Sequence, residues 1–565
     1  MPIGNRFYAA AYLLSIASLF SASVFAVDDA SDVAFKKLGG LHMESTNALV
    51  PDASSEHPLV ISHPEDQPVC NPNVVIEPSH KFKTLQGYEA IVLTNAIPKP
   101  RKLILDHADH LLAVSGTNSL YSIRMDECGN PNVMLLIDQS SIGNQIFAHG
   151  LAQYADHIYV TTPSSVWQFN YVDGQHTPLT GGIKVLDNIN IDDDSAQPDI
   201  AIDPFGYAYI PRTVTELHEN VEPGHAIIKR FNFRQIPEGG YDFDNDGQVH
   251  AIGANSHGSM SFDAQARLWG IEAPLGTVDR SDMGGDITEK GLAGEINLYE
   301  FPMENYGFPY CFTEYDLSSY TANGLGKGTQ WGHPMFMNET MDLDSYCQTL
   351  DNSQQPAFPL TSSSNAIAVN FYMGESCSVG DLESMGTSVG MPCNWTDTPI
   401  VAYHGQEGGP EGHSVVHLGM DDLGHRPRWD KREEIIFEAA EPCSSDDLPC
   451  ISPVGLAVDS FGRLFISSDD SNEIFRVNRI YNPKAAQELT DKDNAKEAAA
   501  DAAADAKEDA EMEAKEQAQE KAEQDAAEAV DTAKEKKDES LENDSEDQDS
   551  EKTQKSQKIS KMSNV

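Results

Sequence analysis

The chain has 565 residues, a formal net charge of −51, eight cysteines and a hydrophobic content of 40%. Nothing along it is basic enough for a nucleic-acid surface, which excludes that class of partner. The length and apolar content suffice for a large folded core.

The first segment, Met1 to Ala26, sets one early Arg6 before an apolar run from Ala9 to Phe20 and closes on small residues. That is the pattern of a signal peptide. The run is shorter than the ~20 residues that cross a bilayer, and no second such run follows, so no membrane span is expected. A secreted, extracellular protein is predicted, with a leader over 27–81. Export turns cysteines into bridges. None of the eight forms a CxxC, so zinc is not expected. Cys311 with Cys347, Cys377 with Cys393, and Cys443 with Cys450 bracket loop-like stretches as local pairs. Cys70 with Cys128 would then tie the leader to the first repeat, although sequence by itself does not fix connectivity. Sequons at Asn338 and Asn394 lie in the same loops and predict glycosylation; a third, at Asn543, lies in the tail.

From Gly87 to Tyr481 one pattern recurs: an apolar run, an acidic or polar turn, a second apolar run and an alternating strand. The copies start near Leu103, Gly150, Ile200, Met260, Ile367 and Gly455. Period-two strands around Gly/Asp turns form hairpins. One such unit cannot cover its own apolar face, whereas several packed radially can. The prediction is an all-β, six-bladed β-propeller over 82–481. A parallel β-helix would need shorter and more even repeats, and an α/β fold would need long amphipathic helices. The repeat also explains DHADH at Asp106 to His110, which resembles a metal cluster. It occupies the inter-strand turn that reads DAQAR at Asp263 and DSFGR at Asp459, so His110 and His157 register with Arg267 and Arg463, read as exposed turn residues. DFDNDG at Asp242 to Gly247 has alternate carboxylates but lacks the Glu that completes a calcium loop, and reads as a polar turn. A long insertion, Glu300 to about Pro359, is read as joining blades four and five; loops of this kind carry ligand sites at the channel mouth. From Asn482 onward the acidic Ala/Glu/Lys tail cannot bury a core. It is expected to be disordered or a lone solvated helix between Asp491 and Lys537.

Several strings resemble the glucose/sorbosone dehydrogenase group, in particular fungal pyranose dehydrogenases dependent on pyrroloquinoline quinone: GYEAIVLTNAIPKPRKLILD from Gly87, ENYGFPYCFTEYDL from Glu304, GKGTQW from Gly326 and SPVGLAVDSFGRLFISSDDSNEIFRV from Ser452. The first looks like the approach to blade one. The resemblance implies the quinone and calcium as cofactors and a sugar as substrate. It also implies a His base before a blade-three strand with an Arg shortly after it. Anchored on IAID from Ile200, those positions fall on Ser195 and Pro198. A serine without a partner does not take a proton near neutral pH, and the neighbouring Asp192, Asp193 and Asp194 are the substitutes at hand. The family's cofactor-binding Arg-Asn pair appears as Ala254-Asn255, and two further Arg positions become Gly409 and Ser452. Arg212, Arg280 and Lys290 are the nearest replacements. Asn255 remains as a cofactor contact, and the backbone carbonyls of Ala273 and Pro274 match positions that hold calcium.

Two readings follow. One is a secreted quinoprotein oxidising a sugar, with a rearranged or lost site; the other is a non-catalytic propeller that binds a carbohydrate or a protein.

Overall fold

The chain reverses on the same device in blade after blade. Asp106, Asp203, Asp263 and Asp459 each turn a carboxylate oxygen back on the N–H groups that follow, Asp263 Oδ1 accepting from Gln265 at 3.0 Å and Arg267 at 2.8 Å. The residue three places on adopts a left-handed conformation: Asp109, Gly206, Ala266 and Gly462. Such an Asx turn fixes the hairpin without help from the core. One expectation fails here. Arg267 and Arg463 are not exposed, because each folds its Nε onto its own turn aspartate at 2.6 Å, and Arg463 is only 6% exposed. His157 follows a shorter turn, in which Tyr154 pairs with His157 directly.

The computed structural model describes residues 72–559 apart from 127, 191–192, 194, 339–340, 362–364, 375, 380–384, 406–411, 421–427, 430–432, 442 and 444–449. The segment read as a signal peptide, most of the expected leader, Cys70 and Gly409 lie outside the described residues. Six sheets of four or five strands form the blades. Their innermost strands are Pro100–Leu105, Leu151–Tyr154, Ala201–Ile202, Met260–Phe262, Ala366–Phe371 and Pro453–Val458, each beside the next around a closed ring. The second strands Leu111–Ser115, Leu268–Glu272, Pro399–Tyr403 and Leu464–Ser468 are buried along their whole length, which is why they read as apolar runs rather than as alternations. Blades pack face to face, as where the Trp269 ring meets Phe371 between blades four and five with centroids 5.2 Å apart.

Ring closure differs from the sequence reading. The strand Tyr88–Thr94 leads into blade one in the chain but pairs with Glu473–Arg479 as the outer strand of blade six. Phe82–Thr84 adds an edge to blade five. The ring is thus closed by hydrogen bonds between the two ends of the domain. The insertion also lies within a blade rather than between two. Phe358–Thr361 pairs with Ala293–Tyr299 as the fourth strand of blade four, so the insertion is an excursion from that hairpin. It carries a small sheet, Cys311–Thr313 with Gln330–Gly332. Three bridges join Cys311–Cys347, Cys377–Cys393 and Cys443–Cys450. Cys128 is also disulfide-bonded.

The described residues of the C-terminal unit, which begins at Gln487, lie in one helix, Pro483–Ile559. It starts earlier than Asp491 because Pro483 suits a first helical position and the Asn482 side chain accepts the N–H groups of Lys484 and Ala485. It runs on past Lys537 because Ala, Glu and Lys are all good helix formers. Its described side chains beyond Lys492 are exposed. No helix among the described residues is long and apolar enough to cross a membrane.

Candidate functional site

Because the inner strands start at the same end of the ring, the polar residues in or just before their first few positions converge on one mouth of the channel. Lys102 of blade one donates from Nζ to Asp199 Oδ2, before blade three, at 2.6 Å. The same oxygen accepts the Met260 N–H of blade four at 2.7 Å. Arg101 Nη1 donates to Gln197 Oε1 at 2.9 Å. Within reach of their charges is His149, before blade two, which is 4% exposed and whose Nε2 has no partner. Burial pushes its pKa down to about 4, against the pull of Asp199 and with the push of Lys102 and Arg101. Inside the ring is a cavity of about 320 Å³ whose lining includes Leu103, Leu151, Ile200, Met260, Val369 and Leu456.

Across the mouth, His404 closes the second strand of blade five. Its Nδ1 meets the Gly405 carbonyl at 3.1 Å, and its Nε2 meets Asp469 Oδ1, after the second strand of blade six, at 3.0 Å. Burial opposes the imidazolium, but the Asp469 bond and charge outweigh it and raise the His404 pKa. Ser452 Oγ donates to Asp470 Oδ2 at 2.8 Å. Sequence reasoning singled out Ser452 here but not Arg101, Lys102, His149, Asp199, His404 or Asp469. A partial signal was present for His149 and Asp199, polar residues standing one or two places before an apolar inner strand; Arg101 and Lys102 lie within their strand, and His404 and Asp469 follow second strands.

The residues predicted from sequence are scattered. Ser195 is an exposed turn residue whose N–H and Oγ both bond to Asp193 Oδ1, at 2.9 and 2.5 Å. Asp193 also accepts the Thr215 hydroxyl; Asp192 and Asp194 lie outside the described residues. Pro198 offers its carbonyl to Thr161 Oγ1 at 2.7 Å. Asn255 is 1% exposed and spent on structure: its Oδ1 accepts the Val214 N–H at 2.8 Å, its Nδ2 donates to the Val214 carbonyl at 3.1 Å, and its own N–H donates to Glu272 Oε2 at 2.7 Å. Ala273 and Pro274 border a small cavity of about 50 Å³ with Glu272, Glu295 and His333. Glu272 and Glu295 stand opposite each other on paired strands, and burial, then the charge of Glu295, raises the Glu272 pKa far above the ordinary carboxyl range. Arg212 is committed to the Ile189 and Asn188 carbonyls and to Asp244, and Arg280 to Asp282 and Asp344. Lys290 is exposed. The acidic turn at Asp242 is an ordered polar turn, with Asp242 Oδ1 bonded to the N–H groups of Asp244 and Asn245. Asn338 and Asn394 are exposed.

A six-bladed propeller with a polar, charge-paired mouth at the start of its inner strands is the class of protein that this fold and site define. The family described as TrAA12-like matches residues 82–480, and the chain belongs to that family. Among its relatives is a pyrroloquinoline quinone-dependent sugar dehydrogenase from Hypocrea jecorina, 22% identical over 410 residues, which cover 69% of this chain and 87% of that protein. A pyrroloquinoline quinone-dependent pyranose dehydrogenase from Coprinopsis cinerea is 20% identical over 443 residues, 72% of this chain; the match spans only 56% of that longer protein. In three dimensions the holo form of the Coprinopsis cinerea pyranose dehydrogenase PQQ domain is similar with a TM-score of 0.60 at 20% identity, over 73% of this chain and all of that domain. A calcium structure of the Trichoderma reesei AA12 enzyme gives 0.59 at 20% identity, over 72% of this chain and all of that one. At that identity the likeness shows the fold.

Proposed function

We propose that the protein is a secreted, carbohydrate-binding propeller descended from quinone-dependent sugar dehydrogenases, in which the quinone site has been given over to internal ion pairs. The observation that carries this is the commitment of Lys102 to Asp199. A quinone with three carboxylates needs cations that are free to pair with it. Among the described residues at the mouth, Lys102 is already neutralised by Asp199, Arg101 is bonded to Gln197, and Asp470 adds negative charge beside the His404–Asp469 pair. No group stands where the family's base would act, since Ser195 is bonded to an aspartate at an exposed turn. Asn255 is fully engaged. The described residues therefore do not fit the quinone, and no catalytic step is derived through it. Calcium at Ala273 and Pro274 belongs to the same lost arrangement. The apolar run at the N-terminus, the disulfides and the exposed sequons at Asn338 and Asn394 support an extracellular glycoprotein.

The test is a titration of the purified protein with pyrroloquinoline quinone and calcium, followed by dye-linked oxidation of a panel of aldoses and by calorimetry with the same sugars. Sugar binding without turnover is the expected result. Turnover would overturn the proposal in favour of a second reading, a sugar dehydrogenase with a rearranged cation set. That reading is favoured by the presence of Arg101 and Lys102 at the mouth and by the unpartnered His149 Nε2 within reach of their charges.

A further inference from the structure

Apolar side chains exposed singly are ordinary, but a cluster of them on a protein surface needs an explanation. One such cluster lies on the insertion of blade four. Met335, Met337 and Met341 fall within seven residues and are 45%, 39% and 40% exposed. Phe336, half-buried among them, meets the rings of Tyr310 and His333 edge to face, with centroids 5.2 and 5.9 Å away. Asn338 stands in the middle of this patch and is exposed. It faces Met341 across an isolated antiparallel bridge. Residues opposed in this way put their side chains on one face, about 5 Å apart at Cβ. Met337, between Phe336 and Asn338, has extended backbone, φ −66° and ψ 134°, and alternate residues of an extended chain share a face. The amide of Asn338 is oriented as well. A backbone N–H only donates, so the 3.2 Å bond from the Met341 N–H identifies its acceptor as Asn338 Oδ1. Nδ2, the atom that carries a glycan, points away from that bond. Asn338-Glu339-Thr340 is a sequon. The sequon at Asn394 gives the contrast: its neighbours Met391, Cys393 and Trp395 are 0%, 8% and 1% exposed, so no exposed apolar side chain flanks it in the chain.

We infer that the protein carries an N-linked glycan on Asn338 whose first sugar is seated against Phe336 and Met341 and covers the patch. The inference rests on the reading of an extracellular glycoprotein and adds what this one glycan does. Attachment forms a bond from Nδ2 to C1 of the sugar as the bond from C1 to a lipid diphosphate donor breaks. The diphosphate leaves as the anion, and Nδ2 gives up one proton to solvent. The bond from the Met341 N–H survives this reaction, because it uses Oδ1. A pyranose presents a face of C–H groups that packs on an aromatic ring or a thioether and removes apolar surface from water. A thioether covered in this way is also slower to oxidise to the sulfoxide.

The full-length protein, secreted from a glycosylating eukaryotic host, is exposed to hydrogen peroxide, and the sulfoxide at each methionine is quantified by peptide mass spectrometry. A glycan at Asn338 is expected, with Met341 oxidised about threefold or more slowly than in T340A, which loses the sequon and keeps Asn338. N338Q should match T340A. Met373 and Met512, 49% and 59% exposed at other places, should oxidise alike in all three proteins, and N394Q should leave Met341 protected. Trimming the wild-type glycan to its first sugar should preserve most of the protection, since that sugar makes the contact. Circular dichroism establishes that each variant is folded; T340A keeps the test open if N338Q is not. An unmodified Asn338 in the wild type, equal oxidation of Met341 with and without the glycan, or protection lost on trimming would overturn the inference. A glycan found at Asn394 would still support the extracellular reading, and sugar binding is read separately by calorimetry, so failure of one leaves the others standing.

Discussion

Lys102 and Asp199 form the pair on which most of the functional argument turns, and their burial makes it testable. The Lys102 side chain is 12% exposed and that of Asp199 is fully buried. Removing one partner of such a pair strands the other charge, at a cost of about 3–5 kcal/mol. K102M is therefore expected to lower the urea unfolding free energy by about that amount, and K102M/D199N to recover much of it. A loss in the double variant equal to that in K102M would show that the pair is not coupled. Asp397 makes a second residue-scale prediction. It ties blade five to the turn of blade four by accepting the Ala264 N–H at 2.7 Å and Gln265 Nε2 at 2.9 Å, yet burial pushes its carboxyl up to about 6. A folded pKa above the unfolded value favours the protonated folded form. Its contribution is present in full below about pH 4 and is lost as pH rises through about 6. Wild type should therefore lose about 3 kcal/mol relative to D397N between pH 4 and pH 7, read from urea midpoints across that range.

At the scale of elements, the four Asp turns use one backbone geometry with different residues at its left-handed position. In blade six that residue is Gly462, at φ +74°, where an added Cβ would lie 2.2 Å from both the Ser376 carbonyl and the Tyr372 hydroxyl. In blade four the equivalent residue is Ala266, at φ 58°. G462A should destabilise by at least about 2 kcal/mol, since it adds a collision to the left-handed penalty. A266G should be neutral or gain up to about 1 kcal/mol, since relief of the same penalty is offset by glycine's entropy. Thermal melts of the two variants in opposite directions would support a shared turn; a loss in both would refute it. The C-terminal helix makes a different claim. Its described side chains beyond Lys492 are all exposed, so it has no buried stripe with which to join a core. Truncation after Ala486 should remove much of the helical circular dichroism and leave the cooperative unfolding of the propeller unchanged.

On the scale of the whole molecule, closure of the ring rests on one strand from each end of the domain, Tyr88–Thr94 against Glu473–Arg479. Deleting residues 82–94 exposes the edge of blade six and is expected to prevent folding, read as loss of the cooperative melt, whereas removal of the tail does not. Most of the fold was legible beforehand because blades are local: their hairpins, turns and apolar runs are written in consecutive residues, and the inner strands fall where the repeats begin. The closing strand and the position of the insertion were not, because both depend on partners hundreds or tens of residues away that no local pattern names. The site divides in the same way. From its resemblance to the quinone enzymes the sequence by itself predicted Ser195, Ala254, Gly409 and Ser452 where those enzymes carry a base and cations, with Asn255 retained, since that expectation follows from residue type. Only the tertiary structure decided which charged groups meet at the mouth, because Lys102 and Asp199, or His404 and Asp469, meet only when strands from different blades converge on one axis and bury opposite charges side by side.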